Sequence, residues 1–337
     1  MMKHPTSRGS TSITDFPPRS DPQLRVRGRN AKGRRRVLRR WHTRLDGDTI
    51  DEARALSANG REGLLAGRRY ADHELQVPGR AGDIAVSVFT PDGHTEAAPG
   101  LFWVHGGGMV GGDRFRRRRR PRSRRCCWWS RRFTGVPART GAPGPARVDD
   151  CYAGLVWFAD HAEDLGVDPT GLVLGGGSAD GGVAAATTLR VRDEGGPSLT
   201  GLLQCCPVLD DRMTSVSSHP FDDGVLWTRA SNEFGWRSLL CDRAGSGHVT
   251  IYEAPGRATD FSRLPRTFVD VGSADLFRDE DAAFASTIWA CGGDAELHVW
   301  AGGFHGFESL SPASALPIAA VAACRNWITR TLAKAGG

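Results

Sequence analysis

The stretch Leu172 to Ala186 constrains this chain more than any other: Leu-Val-Leu-Gly-Gly-Gly-Ser-Ala-Asp-Gly-Gly-Val-Ala-Ala-Ala. A short apolar run suited to a buried parallel strand ends in three glycines, and an alanine-rich run suited to a helix follows. Ser178 stands at the turn between them. A Gly-x-Ser-x-Gly elbow between strand and helix holds its serine in a strained conformation, with the hydroxyl above the sheet edge and a helix N-terminus beneath it. Here that pattern is nearly met. Gly176 stands two before Ser178, but Asp180 stands two after, and Gly181 comes one place late. An ordinary strand-to-helix connection also uses such a turn, so the remainder of the chain has to decide between the two readings.

Around this stretch, strand-like and helix-like runs alternate. Glu74 to Val77 and Ile84 to Phe89 read as a hairpin-like start to a sheet. Leu101 to Val104 is a buried strand followed at once by His105-Gly106-Gly107-Gly108. Successive glycines after a strand let backbone N–H groups approach a ligand, because no Cβ blocks them, though a plain glycine turn reads the same way. An amphipathic helix opens at Val148 and runs through Leu155, Phe158 and Ala162. Further strands are expected at Thr200 to Val208, Thr267 to Val271 and Glu296 to Trp300, with helices at Arg278 to Ala290 and Ala315 to Ala333. This alternation predicts a mainly parallel sheet covered by helices on both faces. Chemistry in such sheets collects at the carboxyl ends of the strands. His105 to Gly108, Ser178, Asp275 and His305 all fall just after an expected strand.

With 337 residues, 39% hydrophobic and 24% charged, the chain can bury a large core. The net charge of +6 does not describe a basic globular surface. Much of it lies in two tracts, Arg25 to Arg40 and Arg114 to Arg132. Residues 1–40 are rich in Ser, Pro, Gly and Arg and lack apolar periodicity, so they read as a disordered basic arm. Residues 41–337 form the folded part. None of the eight cysteines falls in a Cys-x-x-Cys pattern or at metal-ligand spacing from histidines. Reduced thiols in a cytoplasmic protein, with no metal and no cofactor, are therefore expected. No apolar run approaches the roughly 18 residues of a membrane span.

A serine hydroxyl becomes a useful nucleophile only when a base takes its proton and a third group orients that base. Asp275 and His305 fit these parts. Asp279 and Asp281 sit in the first turn of the following helix, where a carboxylate can simply complement the dipole. Asp270 and His298 lie inside strands. The order Ser178, Asp275, His305, each on its own strand-end loop, is that of a hydrolase triad. Backbone N–H groups of Gly106, Gly107 and Ala179 would hold the oxyanion.

Trp103-Val-His-Gly-Gly-Gly-Met-Val-Gly-Gly-Asp, Gly176-Gly-Ser-Ala, Asp275-Leu-Phe-Arg-Asp-Glu-Asp and His305-Gly-Phe together resemble the bacterial hormone-sensitive-lipase-like esterases of the α/β-hydrolase fold. The resemblance covers about Asp48 to Ala333. It implies a serine carboxylic-ester hydrolase for small ester substrates, usually with short to medium acyl chains. It also implies a small helical cap, at about 48–70 and 210–257 in this chain.

Two departures stand out. Asp180 replaces the elbow glycine, where overpacking costs on the order of 1–3 kcal/mol and a carboxylate approaches developing negative charge, so weakened or absent activity is expected. Residues Arg116 to Pro145 have no strand alternation and no helix face. Arg, Pro, Gly, Ala, Cys and Trp dominate them, as in a GC-rich coding strand read out of frame. We read this region as scrambled by two compensating frame changes, and as lacking the internal strand that the family has there. Two rival functions remain. One is a catalytically dead hydrolase-fold protein. The other is a basic nucleic-acid-binding protein using the arginine tracts, with Trp128 and Trp129 as stacking platforms.

Overall fold

The computed structural model describes residues 50, 70–80, 82–93, 96–105, 107–112, 132–136, 145–219 and 227–335. The basic arm and nearly all of the expected 48–70 cap piece lie outside them. So do the arginine runs and the paired tryptophans.

The described strands form one eight-stranded sheet: β1 (Tyr70–Val77), β2 (Ile84–Pro91), β3 (Ala98–Val104), β4 (Arg132–Val136), β5 (Val167–Gly177), β6 (Gly201–Cys205), β7 (Arg266–Ala274) and β8 (Ala295–Phe304). Their spatial order is β1-β2-β4-β3-β5-β6-β7-β8. Only β2 runs against the rest: it pairs antiparallel with β1 and with β4, and every later pairing is parallel. The expected hairpin is the β1–β2 pair, with Val77 opposite Ile84. Tyr70 opens β1 instead of closing a helix.

The central strands read as continuous apolar runs because both faces are buried. Alternate residues go to opposite sides. Phe102, Leu174, Leu202 and Val269 meet α1 (Ala146–Asp160), α2 (Ala179–Glu194) and α4 (Arg278–Ala290) through Leu155, Phe158, Leu189, Phe284 and Ile288. Their neighbours Leu101, Val173, Leu203 and Phe268 meet α6 (Ala315–Ala335) through Cys324, Trp327 and Ile328. A third apolar cluster joins α3 (Arg229–Leu240) to Met109, Ala179 and Leu276 through Trp236, Leu239 and Leu240. A one-turn helix, α5 (Phe307–Leu310), lies between β8 and α6.

The scrambled region needs a correction. Far from leaving its neighbours unpaired, the chain fills the internal slot with β4, which pairs with β3 from Gly100↔Arg132 to Val104↔Val136 and with β2 from Ser87↔Gly135 to Phe89↔Phe133. Ladder hydrogen bonds belong to the backbone, and Phe133, Thr134 and Val136 are residue types that suit a pleated surface. Five residues are too short a run for alternation to be read in an arginine-rich surrounding. The expected strand at Thr200 to Val208 also ends early, at Cys205. Cys206 takes φ 43° and turns the chain out of the sheet, with its N–H donating to Asp270 O at 2.7 Å.

Candidate active site

The elbow forms where its sequence places it. Ser178 has φ 61° and ψ −133°, an unfavourable region for a residue with a Cβ, and it stands at the N-cap of α2. Three backbone hydrogen bonds hold it there. Ser178 N–H donates to Cys205 O at 2.9 Å, while Ser178 O accepts from Gly181 N–H at 2.9 Å and Val208 N–H at 3.0 Å. The surrounding glycines are needed for close approach: a Cβ at Gly176 would overlap Asp180 O, and one at Gly182 would overlap Val208 O.

The Ser178 hydroxyl lies 2.8 Å from His305 Nε2, and His305 Nδ1 lies 3.0 Å from Asp275 Oδ2. Asp275 is fixed by its place after β7: its other carboxylate oxygen accepts from Phe277 N–H at 3.2 Å. The Phe277 ring meets the His305 imidazole edge-on at 5.1 Å. His305 comes from the turn after β8, and Gly306 behind it takes φ 70°. The structure thus brings together all three side chains singled out in the sequence.

The rivals are occupied elsewhere. Asp279 accepts from Ser217 N–H at 2.7 Å and pairs with Arg278 at 2.7 Å. His298 pairs with Glu296 at 2.9 Å and stacks on Trp300. Asp270 is buried within β7, and Asp281 is buried in the first turn of α4. Burial first, then neighbouring carboxylates including Asp275, pushes both Glu280 and Asp281 well above the usual carboxylate range. Cys151 is no competing nucleophile either. Burial, with Asp180 and Asp150 adding to it, pushes its thiol up to about 12.

Of the three expected oxyanion donors, Gly106 lies outside the described residues. Gly107 sits where a Cβ would overlap Gly111 O, and its own carbonyl accepts from Gly111 N–H at 2.9 Å. Gly108 and Met109 follow with φ 62° and 66°. Trp227 packs so closely that a Cβ on Gly108 would overlap its ring. Ala179 is the first residue of α2, so its N–H is one of those that the helix cannot use internally.

Asp180 does not protrude into solvent or simply crowd the turn. Its side chain is fully buried, 3.4 Å from Arg147 Nη2 and 3.8 Å from His105 Nδ1, and both partners are only 2% exposed. Arg147, in the first turn of α1, carried no signal in the sequence. It follows directly on the irregular stretch and meets Asp180 only through the packing of α1 on α2. Together with Met109, Ala179, Val208, Trp236 and Glu253 it lines a narrow cleft that is partly open to solvent.

Cys206, Asp275 and His305 offer one sulfur, one oxygen and one nitrogen within 4.8 Å of one another. A cation there would compete with the His305–Asp275 hydrogen bond, so this donor set and the triad are alternative uses of the same atoms. Among the described residues, no helix is long and apolar enough to cross a membrane.

A family model described as alpha/beta hydrolase fold matches residues 101–309. Carboxylesterase NlhH of Mycobacterium tuberculosis is 29% identical over 289 residues, spanning 84% of this chain and 89% of that protein. Carboxylic ester hydrolase LipN of the same organism is 30% identical over 244 residues, spanning 70% of this chain and 64% of that one. Among solved structures, a bacterial heroin esterase superposes with a TM-score of 0.81 at 31% identity, covering 93% of this chain and 98% of its own. The fold, the strand-end site and these likenesses agree: the chain belongs to the α/β-hydrolase fold family, among its carboxylesterase- and lipase-like members.

Proposed function

We propose that this chain hydrolyses carboxylic esters of short to medium acyl chains through Ser178, His305 and Asp275. The observation that carries the reading is the unbroken hydrogen-bonded line from the Ser178 hydroxyl through both imidazole nitrogens to the Asp275 carboxylate. Ser178 Oγ attacks the ester carbonyl while its proton passes to His305 Nε2. The tetrahedral oxyanion takes N–H bonds from Gly106, Gly107 and Ala179, each worth about 3 kcal/mol in the transition state. Asp275 holds the imidazole in the tautomer that can accept and stabilises the imidazolium. The proton then goes to the leaving alcohol, and water, deprotonated by His305, releases the acid and restores Ser178. No cofactor or metal enters these steps.

The proposal includes reduced turnover. Asp180 sets a buried carboxylate two residues after Ser178, in the first turn of α2, and Arg147 at 3.4 Å balances its charge without a hydrogen bond to it. A cytoplasmic setting belongs to the same reading and is tested by cell fractionation.

Turnover of a p-nitrophenyl butanoate, lost by about 10⁴-fold or more in Ser178→Ala, is the expected result. A serine-directed phosphonate should label the parent at Ser178. A folded parent that neither turns over the ester nor takes the label would instead be the catalytically dead hydrolase. Salt-sensitive retention on DNA without ester turnover would favour the nucleic-acid reading.

A further inference from the structure

We infer that Arg147 makes the cleft beside the elbow a subsite for an acyl chain bearing a neutral hydrogen-bond acceptor, such as an oxo group, in preference to a plain alkyl chain. This inference rests on the ester-hydrolase reading and deepens it. Arg147 is 2% exposed, and its Nε, Nη1 and Nη2 have no hydrogen-bond partner among the described residues. Its ion-pair partner Asp180 stands at 3.4 Å without a hydrogen bond between them. A guanidinium carries five N–H donors, and leaving them unmade away from water is expensive. A buried group of this kind, lining a cleft, calls for an acceptor brought in by a ligand.

The position of the cleft ties that acceptor to the acyl half of the ester. Ala179, whose N–H faces the developing oxyanion in the proposed mechanism, lines the same cleft as Arg147. Met109, Val208 and Trp236 line it as well, so its wall is largely apolar and suits a slender alkyl chain. An acyl chain running from the oxyanion donors along this wall would carry its far end toward the guanidinium. Charge decides the kind of acceptor. Asp180 already neutralises Arg147, and the Glu253 carboxylate also lines the cleft, itself bound by Arg243 at 2.6 and 3.0 Å. A ligand carboxylate would enter a site with no surplus positive charge, whereas a carbonyl oxygen uses the donors without burying a new charge.

The test compares methyl pentanoate, methyl 4-oxopentanoate and monomethyl succinate. Binding to the Ser178→Ala variant is measured by calorimetry, and turnover by the parent is measured in parallel. We expect the oxo ester to bind roughly tenfold or more tightly than the pentanoate, and to be turned over with a similarly higher kcat/KM. In an Arg147→Met/Asp180→Gly double variant, which removes both buried charges together, that ratio should fall to near one in both assays. Equal binding of the oxo and plain esters would overturn the inference, as would a preference that survives in the double variant. Tightest binding of the succinate would overturn the neutral-acceptor form in favour of an anion reader. Absence of turnover on all three esters would sink the hydrolase reading instead, and the binding ratio would still decide the role of Arg147.

Discussion

At the scale of single residues, the unusual feature is a buried charge pair one helical turn from the nucleophile. Asp180 and Arg147 each sit where an unpaired charge would be costly, so removing either alone should hurt more than removing both. Arg147→Met is expected to destabilise by about 3–5 kcal/mol, with Asp180→Gly costing a comparable amount. The double variant should cost less than either single one, which is a coupling energy of about 3 kcal/mol or more in a denaturant double-mutant cycle. Additive losses would show that the two charges do not depend on one another. On methyl pentanoate the double variant should also turn over faster than the parent, because the carboxylate near the oxyanion is gone. Asp281 supplies a prediction in pH. Its carboxyl oxygens have no hydrogen-bond partner among the described residues, and burial holds its proton on well above the usual range. The folded state therefore binds a proton that the unfolded chain has released. This contribution to stability is complete below the unfolded value, about 3.9, and is lost as pH rises toward the folded one. Asp281→Asn abolishes that slope, so the variant's melting temperature relative to the parent should be higher at pH 8 than at pH 5. A constant difference between the two pH values would contradict the assignment.

At the scale of elements, β4 is the point where sequence and structure part. The alternation of strands and helices was legible because β3, β5, β6 and β7 are buried on both faces and must be apolar throughout. The three triad residues were legible for a related reason, since Ser178 and Asp275 each stand just past such a strand and His305 just past the edge strand β8. Arg132–Val136 offered no such pattern, and its place between β2 and β3 comes from backbone pairing in a slot that the rest of the sheet leaves open. Arg147 and its contact with Asp180 were not legible at all, because only the packing of α1 against α2 joins them. As the internal strand between β2 and β3, β4 depends on its backbone more than on its side chains. Thr134 pairs with Val88 on one side and Phe102 on the other. Proline at that position removes a ladder donor and should cost about 3 kcal/mol or more, whereas Thr134→Val should stay within about 1 kcal/mol of the parent. Chemical denaturation of the two variants reads this directly, and equal effects would remove β4 from the ladder.

At the scale of the whole molecule, the site exists only as a property of the assembled sheet. Ser178 comes from the end of β5, Asp275 from the end of β7 and His305 from the turn after β8. The register that aligns them is carried through β6, where Gly177 pairs with Cys205 and Cys205 with Asp270. The Trp236 side chain of α3 closes the cleft against Met109 and Ala179, so this helix also depends on the finished strand ends. No local segment holds two of the three triad residues. Loss of the site should therefore coincide with loss of the core. In a urea titration, phosphonate labelling of Ser178 should disappear with the same midpoint as the near-ultraviolet signal of the buried tryptophans, among them Trp236 and Trp327, which belong to different apolar clusters of the core. Labelling that vanished at lower urea than both signals would mean that the strand ends and α3 open as a separate, weaker unit. Such an outcome would separate the stability of the cleft from that of the sheet, and the energetic cost of the Asp180–Arg147 pair would then fall on the opening of the cleft alone.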